Sequence, residues 1–383
     1  MSFIIKNSQF LLYNKKKKHF YIWHGNMIVH KNKIRKLRML NYYPNYQIMD
    51  CSDKIILPIF INLHIHLGET LFRPLPKKMS LLEYISYTEE QNKNNKDIVD
   101  KLWQKSANIT VKESLDNGVP IICTLRGNDI LSDYNMVAFC GYPIMLSEKL
   151  IHIYQEGFKA FKNYCKNCKK NIIPGVFLHS LYYNNKDSFH FSIKCFKYIK
   201  SFYAIHVAED KSSEDLVQKN WGKRSIDILK ENKLLNKRTI IIHGNTLNDN
   251  ELNLIAQNKA NISICPISAK NLNTSILNLK KLESLNINWS ISSDGLASGE
   301  SANLLLQTNE LINKIDNLQL LLKAITINPQ KALGLKNEIL SQNSFANFII
   351  IDKVKFKNTN DLLNLILTNN IKIKSVYFKG KKL

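Results

Sequence analysis

His64 and His66 stand two residues apart at the end of a run, Ile55 to Leu63, that is apolar at nearly every position. Such a run reads as a strand buried on both faces, and alternate side chains of a strand share a face, so two imidazoles leave one strand end together. Neutral imidazole is the commonest metal-ligating side chain. Further polar groups close short apolar runs downstream: His179 in FLHSLYY, His206 followed by Glu209 in YAIHVAED, His243 in TIIIH and Asp294 in ISSDGLASG. A buried strand has little structural reason to end in histidine, and several doing so point to one site assembled from strand ends. His64, His66, His206 and Asp294 supply three imidazoles and a carboxylate, a set suited to one divalent ion, zinc first and iron(II) second. An ion with one position left open lowers the pKa of bound water towards about 7 and makes hydroxide available at neutral pH. Glu209, three residues past His206, reaches the same mouth without ligating and suits proton transfer. His243 suits orienting the nucleophile or holding the charge that develops after attack, and Asp294 also suits taking the water proton.

The elements that must carry these groups alternate. Val119 to Thr124, Gly175 to Leu178, Tyr203 to Val207, Thr239 to Ile242, Asn261 to Cys265 and Asn288 to Ser292 read as short strands. Helix-like segments at Leu81 to Thr88, Leu150 to Cys165, Ser213 to Glu231, Asn248 to Asn258 and Ala302 to Ile315 separate them. Repeated strand and helix predict parallel strands with crossovers of one hand, closing into a (β/α)8 barrel whose chemistry sits at the carboxyl ends of the strands. Outside this region the pattern changes. Phe3 to Tyr13 and Phe20 to Val29 read as strands joined by a lysine-rich turn, and Phe345 to Asp352 with Ile371 to Phe378 read as strands at the far end. The expected fold is an α/β chain: residues 57–339 a (β/α)8 barrel, residues 1–56 plus 340–383 a small β-sandwich domain built from both chain termini.

Composition narrows the function. The chain has 383 residues, with 54 Lys and Arg against 31 Asp and Glu, a net charge of +23. That balance ordinarily points to nucleic acid. Here the lysines are spread among Asn and Ile along the whole chain, with no basic stripe interleaved with aromatics, so no specific nucleic acid is expected. Seven cysteines at irregular spacing, an odd number, suit a reducing compartment, and Cys165 and Cys168 read as two thiols on a helix. No cleavable leader and no apolar stretch of about 18 residues is evident, which predicts a cytoplasmic protein with no membrane partner. His152 and His190 lie in polar surroundings and read as surface residues.

HIH after a strand, HVAE, IIHGNTL, ICPIS and SSDGLAS, in this order and at these intervals, resemble the amidohydrolase superfamily, and within it the mononuclear aminohydrolases. The resemblance covers nearly the whole chain. It implies a distorted (β/α)8 barrel, one zinc or ferrous ion, and hydrolytic replacement of an amino group or halide on an aromatic ring. It carries the ligand role to His64, His66, His206 and Asp294, the proton shuttle to Glu209 and the activating histidine to His243. It places His179 facing the substrate, although Ser180 and Leu181 depart from the family's His-Ala-x-Tyr. Glu69, Arg73 and Tyr84 fall in a region similar to the family's leucine-arginine-glycine loop, where Pro74 replaces the glycine, and are the further substrate-binding candidates. Lys159 and Lys162 fall on a helix-like segment, which argues against a carboxylated lysine and a binuclear centre.

The function expected is hydrolytic deamination of an aminated purine or adenine-type nucleoside, such as adenosylhomocysteine, methylthioadenosine, adenosine or an aminofutalosine-like compound. A ring halide or cyclic amide cleaved at the same metal is the alternative, and an RNA-binding protein using the basic surface the distant one. The polynucleotide deaminase signature, His-x-Glu with Pro-Cys-x-x-Cys, is absent. The partner is a small heterocycle, and family members suggest a homodimer.

Overall fold

Apolar runs of four or five residues between polar stretches bury their backbone polar groups by pairing with one another. In the computed structural model, which describes residues 2–39, 46–95, 98–146, 157–336 and 338–383, they do so in two sheets. The chain divides into two compact units, Met1–Ile61 with Lys112–Pro120 and Asn303–Leu383, and Asn62–Val111 with Ile121–Ala302.

The first sheet comprises β1 (Ser2–Asn14), β2 (His19–His30), β3 (Lys33–Arg38), β4 (Gln47–Asp50), β5 (Lys54–Leu57), β14 (Phe348–Asp352), β15 (Ile373–Phe378) and β16 (Lys381–Lys382). Its order is β16-β15-β14-β5-β1-β2-β3, with β4 paired to β1. β1 and β2 form the expected hairpin, from Ser2 opposite His30 to Asn14 opposite His19. β14 runs antiparallel to β5, so strands from both ends of the chain share one mixed sheet. Its apolar face buries Phe3, Phe10, Ile56, Phe348 and Ile350, with Phe348 stacked on Tyr377 at 4.7 Å between ring centroids. The helix Thr359–Leu367, not anticipated from sequence, buries Leu362, Leu363, Ile366 and Leu367.

The second sheet is the barrel, β6 (Ile61–Ile65), β7 (Ile121–Thr124), β8 (Val137–Ile144), β9 (Ile172–Ser180), β10 (Tyr203–Val207), β11 (Thr239–His243), β12 (Asn261–Ile264) and β13 (Asn288–Ile291), neighbours in that order. It closes where the last strand's exit meets the first: the Asp294 amide donates to the His64 carbonyl at 3.1 Å and the Leu63 amide to Ser292 Oγ at 3.1 Å. β8 was not legible as a strand because Gly141 and Pro143 interrupt it, and both residues read as strand breakers. Glycine is required there, since a Cβ at Gly141 would strike the Phe177 side chain on β9. The segment expected as one helix from Ser213 to Glu231 is two, Lys211–Trp221 and Ser225–Glu231, separated at Gly222, whose φ of 74° ends the first. Asn185, Asp210 and Asn248 cap the helices that follow them through reciprocal side-chain and backbone hydrogen bonds.

Part of the expected Leu150 to Cys165 helix, and His152, lie outside the described residues; the helix Gly157–Asn167 carries Lys159, Lys162 and Cys165. His190 is exposed on the helix Lys186–Tyr198. All seven cysteines are free thiols. No described helix is long and apolar enough to cross a membrane.

Candidate metal centre and active site

Alternation on β6 sends Asn62 and His64 to the same side of the strand, and His66 follows one step past its end. Asn62 is occupied by Ser293, whose Oγ accepts from its amide at 2.8 Å. His64 is wholly buried, and its Nε2 lies 2.9 Å from Asp294 Oδ1. β10 brings His206 Nε2 to 3.2 Å from His64 Nε2 and 3.3 Å from His66 Nε2. His66 Nε2 in turn lies 3.6 Å from Asp294 Oδ1. Four donor atoms from three strand ends thus form a closed circuit with edges of 2.9 to 3.6 Å. Ligands bound about 2.0–2.1 Å from one ion are spaced about 2.9 Å apart at right angles and about 3.4 Å at the tetrahedral angle. The observed edges bracket those values.

The protonation pattern fits the same conclusion. His206 Nδ1 contacts the His179 carbonyl at 2.6 Å. A carbonyl only accepts, so Nδ1 carries the proton and Nε2 turns a lone pair inward. Burial drives the His64 imidazole down to about 4 and His243 to about 3, and holds His206 well below its ordinary value, with neighbouring imidazoles adding to the effect on each. All three are neutral at pH 7, the form that ligates. Burial opposes ionisation of Asp294, but His64, His243 and His66 more than reverse it and keep the carboxylate charged. Two acceptors, His206 Nε2 and Asp294 Oδ1, therefore face the same two imidazole nitrogens. One cation among them satisfies every lone pair at once.

Asp294 and His243 both adopt left-handed backbone conformations, φ 64° and 67°. Residues with a Cβ rarely do so, and such strain concentrates at functional sites. Asp294 is aimed by two buried serines: Ser268 Oγ donates to Oδ2 at 2.6 Å and Ser298 Oγ at 3.3 Å. Sequence reasoning quoted both, in ICPIS and SSDGLAS, without giving either a task. Removing the stronger bond by Ser268→Ala is expected to weaken metal affinity by about 10-fold to 100-fold, as losses behind a ligand do. A zinc competition titration reads it, and an unchanged affinity would show that Asp294 needs no such support.

Glu209 Oε1 lies 3.3 Å from His243 Nε2, and the carboxyl is pushed well above the usual range by burial, then by Asp294, Asp210 and Glu69. Tyr182, also missed from sequence, hydrogen-bonds the Glu209 carboxylate. His179 packs tilted against the centre's edge, its ring centroid 4.5 Å from that of His206 and 6.2 Å from that of His66. Glu69 Oε1 lies 3.9 Å from His66 Nδ1, its Oε2 accepts from the Tyr84 hydroxyl at 2.6 Å, and its carboxylate packs on Gly295, where a Cβ would collide with it. Arg73 turns elsewhere: its Nη1 donates to the Glu300 carbonyl at 2.8 Å. Of the ten residues singled out, nine gather at the carboxyl end of the barrel around His64, and Arg73 reaches the loop after Asp294.

The sequence pattern of the amidohydrolase family matches residues 55–383. The chain is 23% identical over 375 residues to a 5-methylthioadenosine/S-adenosylhomocysteine deaminase of Pyrococcus furiosus, covering 91% of this chain and 86% of that one. Its fold is similar to that of a guanine deaminase of C. acetobutylicum with guanine bound, at a TM-score of 0.88, 17% identity and full coverage of both chains. It is also similar to a zinc-bound atrazine chlorohydrolase of Arthrobacter aurescens, at a TM-score of 0.84 and 13% identity, covering 100% of this chain and 95% of that one.

Proposed function

The chain belongs to the amidohydrolase family, and from that premise we propose that it is a zinc-dependent aminohydrolase that removes the ring amino group of an adenine-type nucleoside. Water and the aminated ring give the oxo ring and ammonia. The observation that carries this reading is the circuit of His64, His66, His206 and Asp294 with the Glu209 carboxyl beside it, 3.3 Å from His243. The likeness to a deaminase of methylthioadenosine and adenosylhomocysteine supports the purine class, and zinc in a chlorohydrolase of similar fold supports the metal.

Bound among these four donors, the ion supplies Lewis acidity and water activated near neutral pH. The remaining steps fall to side chains. Glu209 takes one proton from the attacking water and delivers it to the ring nitrogen next to the amine; the second water proton, taken up by Asp294, passes to the amine, so the C–N bond breaks and ammonia leaves as the new C–O bond is secured. His243 holds that carboxyl in place at 3.3 Å and offers a neutral imidazole to the charge that develops on oxygen. Asp294, kept ionised, accepts the second water proton. Tyr84 and Glu69 form one hydrogen-bonded pair beside the centre, and with His179 they supply the polar and aromatic surfaces that orient a flat heterocycle.

The test is ammonia release from the zinc-loaded protein over adenosine, S-adenosylhomocysteine, methylthioadenosine, aminofutalosine, guanine and cytosine. Turnover is expected with the adenine-type compounds, and silence across the set rejects the reading. The likeness to a chlorohydrolase sustains a second one, hydrolysis of a ring halide at the same centre, for which chloride appears in place of ammonia.

A further inference from the structure

Arg126 follows the carboxyl end of β7, the strand beside the one that carries His64. Its guanidinium lies over the Trp103 indole, 4.7 Å from the ring centroid. Trp103 is wedged between the exits of the two strands: a Cβ on Gly68 would collide with the indole, and one on Gly127 would come within 3.6 Å of it. Gly68 separates the ligand candidate His66 from Glu69 by a single step on either side of Leu67 and itself, so the indole fixes Arg126 next to the first strand's functional loop. The guanidinium is half-buried, and no hydrogen bond from it to a described residue is found. Glu69 and Asp100 act on it only through space. Glu69 accepts instead from the Tyr84 hydroxyl at 2.6 Å, and its carboxylate lies against Gly295.

A guanidinium presents five N–H donors in a rigid fork, and taking it out of water without acceptors is unfavourable. The ring beneath it restrains the guanidinium, whose fork suits bidentate pairing with a planar anion. The second arginine of the region, Arg73, donates from Nη1 to the Glu300 carbonyl. Arg126 is the cation held ready.

We propose that Arg126, seated on Trp103, recognises a carboxylate that the substrate carries at a distance from its reacting ring. The inference rests on the deaminase reading and deepens it: the substrate class becomes an adenine-type nucleoside with an acidic arm. The competing role, in which Arg126 only balances the charge of Glu69, affects substrates with and without a carboxylate alike.

Two compounds separate these roles. S-adenosylhomocysteine ends in an amino-acid carboxylate, and methylthioadenosine shares the purine, ribose and thioether but ends in a methyl group. Kd by calorimetry, together with KM and kcat, is measured for both with zinc-loaded wild-type protein, Arg126→Gln and Arg126→Lys. Arg126→Gln is expected to raise Kd and KM for S-adenosylhomocysteine on the order of 30-fold, the value of a charge-assisted bidentate pair, with kcat within about threefold. Methylthioadenosine constants stay within about threefold, and Arg126→Lys, which keeps the charge and loses the fork, falls between. Equal losses for the two compounds overturn the proposal, as does a wild-type protein that binds methylthioadenosine as tightly as S-adenosylhomocysteine. Selective binding of S-adenosylhomocysteine without ammonia release upholds the anion site and rejects the deaminase reading; ammonia release without selectivity does the reverse.

Discussion

Glu209→Gln is expected to lower kcat by about 10³-fold while KM, metal content and thermal midpoint stay near wild type. The amide has the volume of the carboxyl and can still hydrogen-bond Tyr182 and His243, but it cannot receive a proton and hand it on, a task that contributes on the order of 10²–10⁴-fold. The surrounding fold does not depend on the carboxyl. The Glu209 backbone carbonyl is held by Asn245 Nδ2 at 3.0 Å and Thr274 Oγ1 at 3.1 Å, so the loop after β10 keeps its course whatever the side chain. Steady-state ammonia release with parallel metal analysis is the measurement. A loss of less than about tenfold would move the proton relay to another group, with His243 next in line.

The second large effect concerns the ion. His66→Ala, or exhaustive chelation of the wild-type protein, is expected to lower turnover by more than about 10³-fold and to remove most bound metal, read by elemental analysis. His66 is the ligand candidate to change because its side chain is 15% exposed where that of His64 is 0% exposed, so truncation leaves the smaller cavity. The thermal midpoint is expected to fall on chelation and to recover on adding zinc, because an ion that binds only the folded chain stabilises it in proportion to RT ln(1 + [ion]/Kd). Two acceptors left facing each other without a cation add to the loss. Full activity in protein shown to carry no transition metal would overturn the catalytic reading as a whole.

Several site features were legible in the residues and others were not. A histidine or aspartate at the end of a four- or five-residue apolar run is a local signal, and His64, His206, His243 and Asp294 each carried it. Ser268 and Ser298 gave no such signal, since serine is common at helix starts and in loops, and only the approach of two distant segments to Asp294 Oδ2 gives them work. Trp103 and Arg126 are 23 positions apart in sequence, one on a helix and one after a strand, and their pairing belongs to neither element alone. β8 was hidden for another reason: Gly141 and Pro143 weaken local strand propensity, and what makes a strand there is the close approach of β9 through Phe177.

The sequence by itself determined which side chains end the strands, because hydrophobic period and run length are properties of consecutive residues. From them came the parallel barrel, the expectation of a small β-domain built from both termini, and the four metal-ligand candidates. Only the tertiary structure decided that those four donors lie 2.9 to 3.6 Å apart in a closed circuit, that Asp294 and His243 sit in left-handed backbone, and that Arg73 bonds to Glu300 while Arg126 has no such acceptor among the described residues. Distances between groups more than a hundred residues apart depend on how strands stagger as the barrel closes, and the closing contact, Asp294 to His64, joins the last strand's exit to the first strand.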